Sequence, residues 1–270
     1  MYYDAMIKLL FYYHCFRRDV SNFSLVKHRR YDGFLISMHQ SGTHWLKHML
    51  SMAITRELGL PPPKYNHAND IIGGVKAPGL HPQAPQIVMS HSIPHMLLKY
   101  ATFRKLIRLP KYVVLVRDMR KSIVSNYEKW REQYGCDFSE YLRGDVSGHR
   151  FNNDVWWCIR FYNAWGYLAE KFPEDTLVVK YEDLQQDAIN ELMRINNYWN
   201  LQLQESALVY GIEQSSKGKM ELKYDPAAPP GVISKDNRAI ADWFNDSDKK
   251  FLREISRRYL KYSFGYDFQG

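Results

Sequence analysis

Short apolar runs alternate with longer helical patterns along this chain. Residues 33–37, 86–90, 112–116 and 176–180 are nearly continuous in Val, Ile, Leu, Phe and Met, and each reads as a strand. Between them, residues 43–58, 94–108, 118–134 and 152–172 carry apolar positions at helical spacing. Strands without polar alternation are buried on both faces, as in a parallel sheet covered by helices. The expected fold class is therefore α/β: a three-layer, doubly wound domain around a mostly parallel sheet. Its ligands should sit outside the carboxyl ends of the strands. Two stretches rich in Pro and Gly read as loops. One runs from Pro61-Pro62-Pro63 to Pro85 and the other from Asp225 to Gly231. Loops of this length in a compact domain are often substrate lids.

Residues 5–16 form an apolar, aromatic segment interrupted by Lys8 and His14 and followed by Arg17-Arg18. The segment is too short to span a bilayer. It lacks a preceding basic region and a small-residue cleavage site, which argues against a signal peptide. It reads as an N-terminal helix docked on the domain, with a helix lying on a membrane surface as the alternative. Residues 1–270 are expected to form one domain, with 1–30 as a helical N-terminal extension.

Composition narrows the partners. The 270 residues, 45% hydrophobic, suit one domain with a sizeable core. A formal charge of +8 permits a nucleic acid, an acidic membrane surface or a small phosphorylated ligand, and without a run of five basic residues it fits a small polyanion at least as well as a nucleic acid. Cys15, Cys136 and Cys158 are an odd and irregular set, neither a disulfide framework nor a zinc site. A reducing, cytoplasmic setting follows as the simpler expectation, with no metal cluster visible.

The chemistry-bearing residues fall at expected strand ends. After the first strand comes Ser37-Met38-His39-Gln40-Ser41-Gly42-Thr43-His44-Trp45-Leu46. A small, hydroxyl-rich loop opening a helix can cradle an anion through backbone N–H groups, and Gly42 permits close approach. Ser41 and Thr43 can add hydroxyls. The ATP-type loop, G-x-x-x-x-G-K-[ST], is absent. The same Ser-Gly-Thr also serves as an ordinary turn and helix start. His91 follows the second strand and suits proton abstraction near neutral pH, or a structural role before the next helix. Arg117 follows the third strand, with Ser125 about two turns into the next helix. That pair makes a phosphate clamp or a solvated basic helix start.

These segments resemble the cytosolic-type sulfotransferases, which use 3′-phosphoadenosine 5′-phosphosulfate. That family's loop has the form P-K-S-G-T-T/N-W-L, and Ser41, Gly42, Thr43, Trp45 and Leu46 match it. His39 and Gln40 replace its Pro and Lys. The resemblance implies that the loop, including His44, binds the 5′-phosphosulfate and that Trp45 stacks on the adenine. Arg117 and Ser125 match R-[DN]-x-[RK]-[DE]-x-x-x-S, whose Arg and Ser hold the 3′-phosphate. Ser90-His91 matches part of K-[TS]-H-x-P, in which the His is the general base; Met89 replaces a frequent Lys.

Tyr181-Glu182-Asp183-Leu184 matches Y-E-D-[LM], whose Tyr lies near the adenine. The segment from Phe138 to Leu142 resembles the family's short helix before the substrate region. Ser215 stands in the place of a base contact, and Lys235 and Arg238 loosely match a basic pair on the 3′-phosphate.

The implied activity is sulfuryl transfer to a hydroxyl or amine of a small-molecule or glycan acceptor, without metal. His91 would act as base, and Gln40 with a protonated His39 would take the place of the missing lysine. Alternatives are a catalytically impaired nucleotide-binding relative and, below it, a nucleotide kinase. Trp156, Trp157, Phe161, Tyr162 and Trp165 read as core residues, or else as the wall of an apolar acceptor pocket.

Overall fold

The computed structural model describes residues 2–22, 31–75, 77–107, 109–151, 153–223, 225 and 238–268. Five strands form one parallel sheet: β1 (Gly33–Ser37), β2 (Gly73–Gly74), β3 (Ile87–Ser90), β4 (Lys111–Val116) and β5 (Thr176–Lys180). Their order is β2-β3-β1-β4-β5. β1 is central, pairing Leu35 with Met89 of β3 and with Val113 of β4. Chain order reverses on its two sides, so its carboxyl end faces the crevice where such folds bind ligands.

The helices are α1 (Tyr2–Ser21), α2 (Thr43–Leu58), α3 (Ala101–Leu106), α4 (Met119–Tyr134), α5 (Phe138–Arg143), α6 (Val155–Lys171) and α7 (Tyr181–Gln186). They continue with α8 (Ala188–Trp199), α9 (Glu205–Gln214), α10 (Lys217–Leu222) and α11 (Asp246–Tyr259).

Strand alternation divides the core in two, which gives the expected three layers. Phe34, Ile36, Tyr112, Val114 and Val116 point to one face and join Met119 and Ile123 of α4 and much of α6. Leu35, Val113 and Leu115 point to the other and join Leu46, Met49 and Leu50 of α2 and Leu192 and Ile195 of α8. The α9 backbone lies close to α2 at Gly211, where an added Cβ would fall 2.4 Å from the Met49 carbonyl oxygen.

The helix α1 docks through Phe11, which is 2% exposed and packs against Trp156 and Tyr259 at ring-centroid distances of 5.5 and 5.1 Å. Arg18 donates to the carbonyl oxygens of Ser147 and Gly148, and Lys99 pairs with Asp19 at 3.5 Å.

Three boundaries differ from the sequence reading. Residues 94–108 do not form one helix: a 3₁₀ turn, Met96–Lys99, is separated from α3 by extended Tyr100. The side chain of His95 caps that turn by accepting from the Leu97 N–H. α6 starts at Val155 rather than 152 because the Asp154 side chain accepts from the Trp157 N–H and sets the first turn. The loop after Pro61-Pro62-Pro63 contains β2, a two-residue edge strand that pairs Gly73 with Val88. So short a glycine pair carries no apolar run from which to predict it.

Candidate active site

The loop between β1 and α2 is fixed by side chains that grip consecutive carbonyl oxygens. His91 Nδ1 lies 2.9 Å from the Ser37 oxygen. Ser41 Oγ donates to the Met38 oxygen at 2.6 Å, and Ser122 Oγ of α4 donates to the His39 oxygen at 2.6 Å. Arg117 Nη1 donates to the Gln40 oxygen at 2.7 Å. With its carbonyls engaged, the loop turns its N–H groups toward the crevice. None of the described residues supplies an acceptor for the N–H groups of Gln40, Ser41, Gly42, Thr43 or His44. They converge at the start of a 16-residue helix, where the macrodipole adds partial positive charge.

Two positions in this loop adopt left-handed backbone, Gln40 (φ 55°) and Gly42 (φ 86°). At Gly42 an added Cβ would also fall 2.5 Å from the Tyr181 ring. Gln40 accepts the conformation at a cost of about 1–2 kcal/mol, and its carbonyl is where Arg117 binds.

Arg117 links the first-strand and third-strand motifs. Besides Gln40 it lies over the Tyr181 ring, 4.6 Å from the centroid, and its buried Nε has no partner among the described residues. Among the described residues no carboxylate neutralises it, which leaves a fixed guanidinium suited to an anion. Ser125 is half-buried and bonds to no described residue. Trp45 packs edge-on to Tyr181 at 6.0 Å, and its Nε1 donates to the Ser215 oxygen at 3.0 Å. Ser215 Oγ in turn meets His48 Nδ1 at 2.7 Å. Trp45, Tyr181 and Ser215, from three separate parts of the chain, thus form one aromatic wall. A bisphosphorylated nucleotide fits these donors: loop N–H groups without a described acceptor, a guanidinium without a described carboxylate, and a flat aromatic wall.

His91 sits on the other side of the loop. The Ser37 carbonyl can only accept, so Nδ1 carries the proton and Nε2 keeps its lone pair. Ser37 Oγ also approaches Nδ1 at 3.1 Å and accepts from Thr43 Oγ1 at 2.8 Å. Desolvation lowers the His91 pKa, and the Lys129 charge adds to this. Its ring stacks on His39 at 4.2 Å, and His39 meets Trp157 at 4.7 Å.

Several sequence expectations change here. The protein's own groups hold His39 away from the imidazolium form: desolvation between the rings of His91 and Trp157, then the neighbouring His91 and Lys129, lowers its pKa to about 3. The hydroxyls of Ser41 and Thr43 are committed inside the loop, to Met38 and Ser37, which leaves the backbone N–H groups as its free donors among the described residues. Of the five α6 aromatics named from the sequence, Trp156, Phe161, Tyr162 and Trp165 are buried in the core. Trp157 alone of the five reaches the His39–His91 stack. His44 is exposed and meets the His67 ring edge-on at 6.4 Å. The Arg238 guanidinium lies over Trp243 at 4.3 Å, and Lys235 is outside the described residues. Sequence reasoning missed Ser122 and Lys129, although both lie on the α4 face that carries Ser125.

The sulfotransferase-domain family model matches residues 30–228. Sulfotransferase 2A6 of Mus musculus is 25% identical over 198 residues, covering 67% of this chain and 62% of that protein. The chain thus aligns with somewhat under two thirds of that relative's length. A mouse sulfotransferase, SULT7A1, complexed with PAP superposes with a TM-score of 0.58 at 17% identity, covering 90% of each chain. Retinol dehydratase in complex with androsterone and inactive cofactor PAP gives 0.59 at 16% identity, covering 88% of this chain and 83% of the other. At these identities the structures bear on the fold alone. The domain match includes the β1 loop, His91, Arg117, Ser125 and Tyr181, and it extends over well more than half of the 270 residues, so the chain belongs to the sulfotransferase family.

Proposed function

We propose that the protein transfers a sulfuryl group from 3′-phosphoadenosine 5′-phosphosulfate to a hydroxyl or amine of a small-molecule acceptor. The observation that carries this reading is the set of unpaired loop N–H groups beside the unneutralised Arg117. The N–H groups of Gln40 to His44 hold the 5′ end of the nucleotide. Arg117 and Ser125 hold its 3′-phosphate, and Trp45, Tyr181 and Ser215 border the base. The phosphosulfate supplies the sulfuryl group when bound.

His91 Nε2 takes the proton of the acceptor hydroxyl, while the Ser37 carbonyl holds Nδ1–H and keeps the ring in that tautomer. The fixed loop N–H groups stabilise charge that develops on the leaving phosphate, with no reorganisation required. Trp157 and His39 pack against the base and exclude water from one side of it. Isotope transfer from ³⁵S-labelled phosphosulfate to an acceptor panel tests the reading. Labelled acceptor is expected; nucleotide binding without transfer to any acceptor would favour the impaired relative, which Gln40 in the lysine position makes the principal rival.

We further propose a cytoplasmic protein that touches an anionic membrane surface through α1. Among the described residues no helix is long and apolar enough to cross a membrane. Met6, Leu9, Tyr13 and Phe16 are 48, 71, 54 and 59% exposed, and their spacing puts them on one face of α1. Lys8 and Arg17 are exposed beside that stripe, which favours anionic lipid over a protein partner. Phosphatidylserine vesicles should sediment the protein and phosphatidylcholine vesicles should not, and Leu9→Asp with Phe16→Asp should abolish binding. Self-association without vesicle binding would replace the lipid with a second copy.

A further inference from the structure

The donor-binding groups leave one cation over. Lys129 lies seven residues beyond Ser122 on α4, about two turns on and on the same face. Ser122 fixes the end of that face against the loop through the His39 carbonyl, and Asn153 Nδ2 supports Ser122 at 3.2 Å. Lys129 therefore stands roughly 10 Å further along the helix than Ser122, away from Arg117 at the helix start. It is half-buried, and among the described residues its ammonium meets only the Trp130 ring, at 5.2 Å, with no carboxylate. Its charge nevertheless acts on His39, His44 and His91, and no acidic group acts on those three imidazoles. A half-buried ammonium with no carboxylate partner among the described residues, on the helix face that holds the His39 loop, forms half of an ion pair. The loop N–H groups and Arg117 already meet the donor's charges at the other end of the site. The pocket wall near His39 is Trp157, stacked on Phe161 at 5.1 Å.

Building on the proposed sulfuryl transfer, we infer that Lys129 selects the acceptor: the natural substrate is a hydroxylated compound with an apolar or aromatic body and a carboxylate or similar anionic group. The anion pairs with Lys129 while the hydroxyl meets His91 Nε2. A charge-assisted hydrogen bond in such a position changes affinity by about 10–100-fold.

The test compares 4-hydroxyphenylacetate with its amide, and adds tyramine as a cationic analogue. In the wild type, kcat/KM for the carboxylate should exceed that for the amide by about 10–100-fold, mainly through KM. Lys129→Gln should remove the preference, and Lys129→Glu should turn it toward tyramine. Calorimetric binding of the same probes, with adenosine 3′,5′-bisphosphate present, gives a readout that needs no turnover. A carboxylate that binds the wild type no tighter than the amide overturns the inference, and so does a preference that survives Lys129→Gln. Bisphosphate binding should be the same in wild type and Lys129→Gln. Its loss in the variant alone would put Lys129 on the donor and overturn the inference. Its absence in the wild type would sink the sulfuryl-transfer reading instead.

Discussion

On the donor side of the loop, motif residues from several strand ends are tied by directed hydrogen bonds. Arg117 grips the Gln40 carbonyl, Ser41 the Met38 carbonyl and Trp45 the Ser215 carbonyl. On the acceptor side, His39, His91, Trp157 and Lys129 come from four distant parts of the chain, and what joins them is ring packing and charge. A site that must recognise one fixed nucleotide is specified by backbone geometry, whereas one that accommodates an acceptor is shaped by side-chain surfaces. The two halves share the β1 loop and little else, so substitutions should separate them.

The largest separation should come from His91→Ala. Turnover should fall by about 10²–10⁴-fold, the usual span for removal of a general base, while the melting-temperature shift with adenosine 3′,5′-bisphosphate stays as in the wild type. A variant that loses both would mean that His91 supports the loop rather than the proton transfer.

Gln40 and His39 come next, and they sharpen the boundary between the halves. Gln40 presents no full charge to the leaving phosphate, and desolvation holds His39 neutral. Gln40→Lys should therefore raise turnover by on the order of 10–100-fold, somewhat less than the effect of removing a whole charged donor. His39→Ala should lower it by roughly 10-fold by loosening the His91 ring, a positioning effect. Because the two residues act on different groups, the changes should add in the double variant. A Gln40→Lys gain much larger in the His39→Ala background than in the wild type would restore the imidazolium reading that burial argues against.

The smallest effect is a displacement along the pH axis. His91 must be neutral to accept a proton; desolvation lowers its pKa against the opposing Ser37 hydrogen bond, and the Lys129 charge adds a smaller downward push. The base form therefore persists below the ordinary histidine value of about 6.5, and the acidic limb of kcat should lie below that pH. Lys129→Gln removes a cation that opposes protonation and should move the limb upward. A limb at or above 6.5 in the wild type would assign the titration elsewhere.

The contrast between the halves also explains what could be read from the sequence. The β1 loop, Arg117 and Ser125 were legible because strand-loop-helix order places them at strand ends, and apolar runs located β1, β3, β4 and β5 closely. β2 was not legible, since Gly73-Gly74 pairs through backbone alone. The neutrality of His39 was hidden as well: it depends on Trp157, 118 positions away in a helix whose neighbouring aromatics are core. The commitment of the Ser41 hydroxyl to Met38 was equally invisible, because a serine in such a loop has the same identity whether it faces ligand or backbone. Lys129 was recoverable in principle, from its place one turn beyond Ser125, but nothing in sequence said that it lacks a counter-ion.

Arg117 and the β1 loop, brought together through Gln40, are proposed to form one site for a nucleotide with phosphate at both ends. Thermal unfolding with adenosine 3′,5′-bisphosphate and with adenosine 5′-monophosphate tests it most directly, in the wild type and in Arg117→Ala. A ligand that binds only the folded protein raises its melting temperature in proportion to its affinity. The bisphosphate should stabilise the wild type far more than the monophosphate does, and Arg117→Ala should erase most of that difference. Equal stabilisation of the wild type by the two nucleotides would contradict the claim, as would a difference that survives in Arg117→Ala.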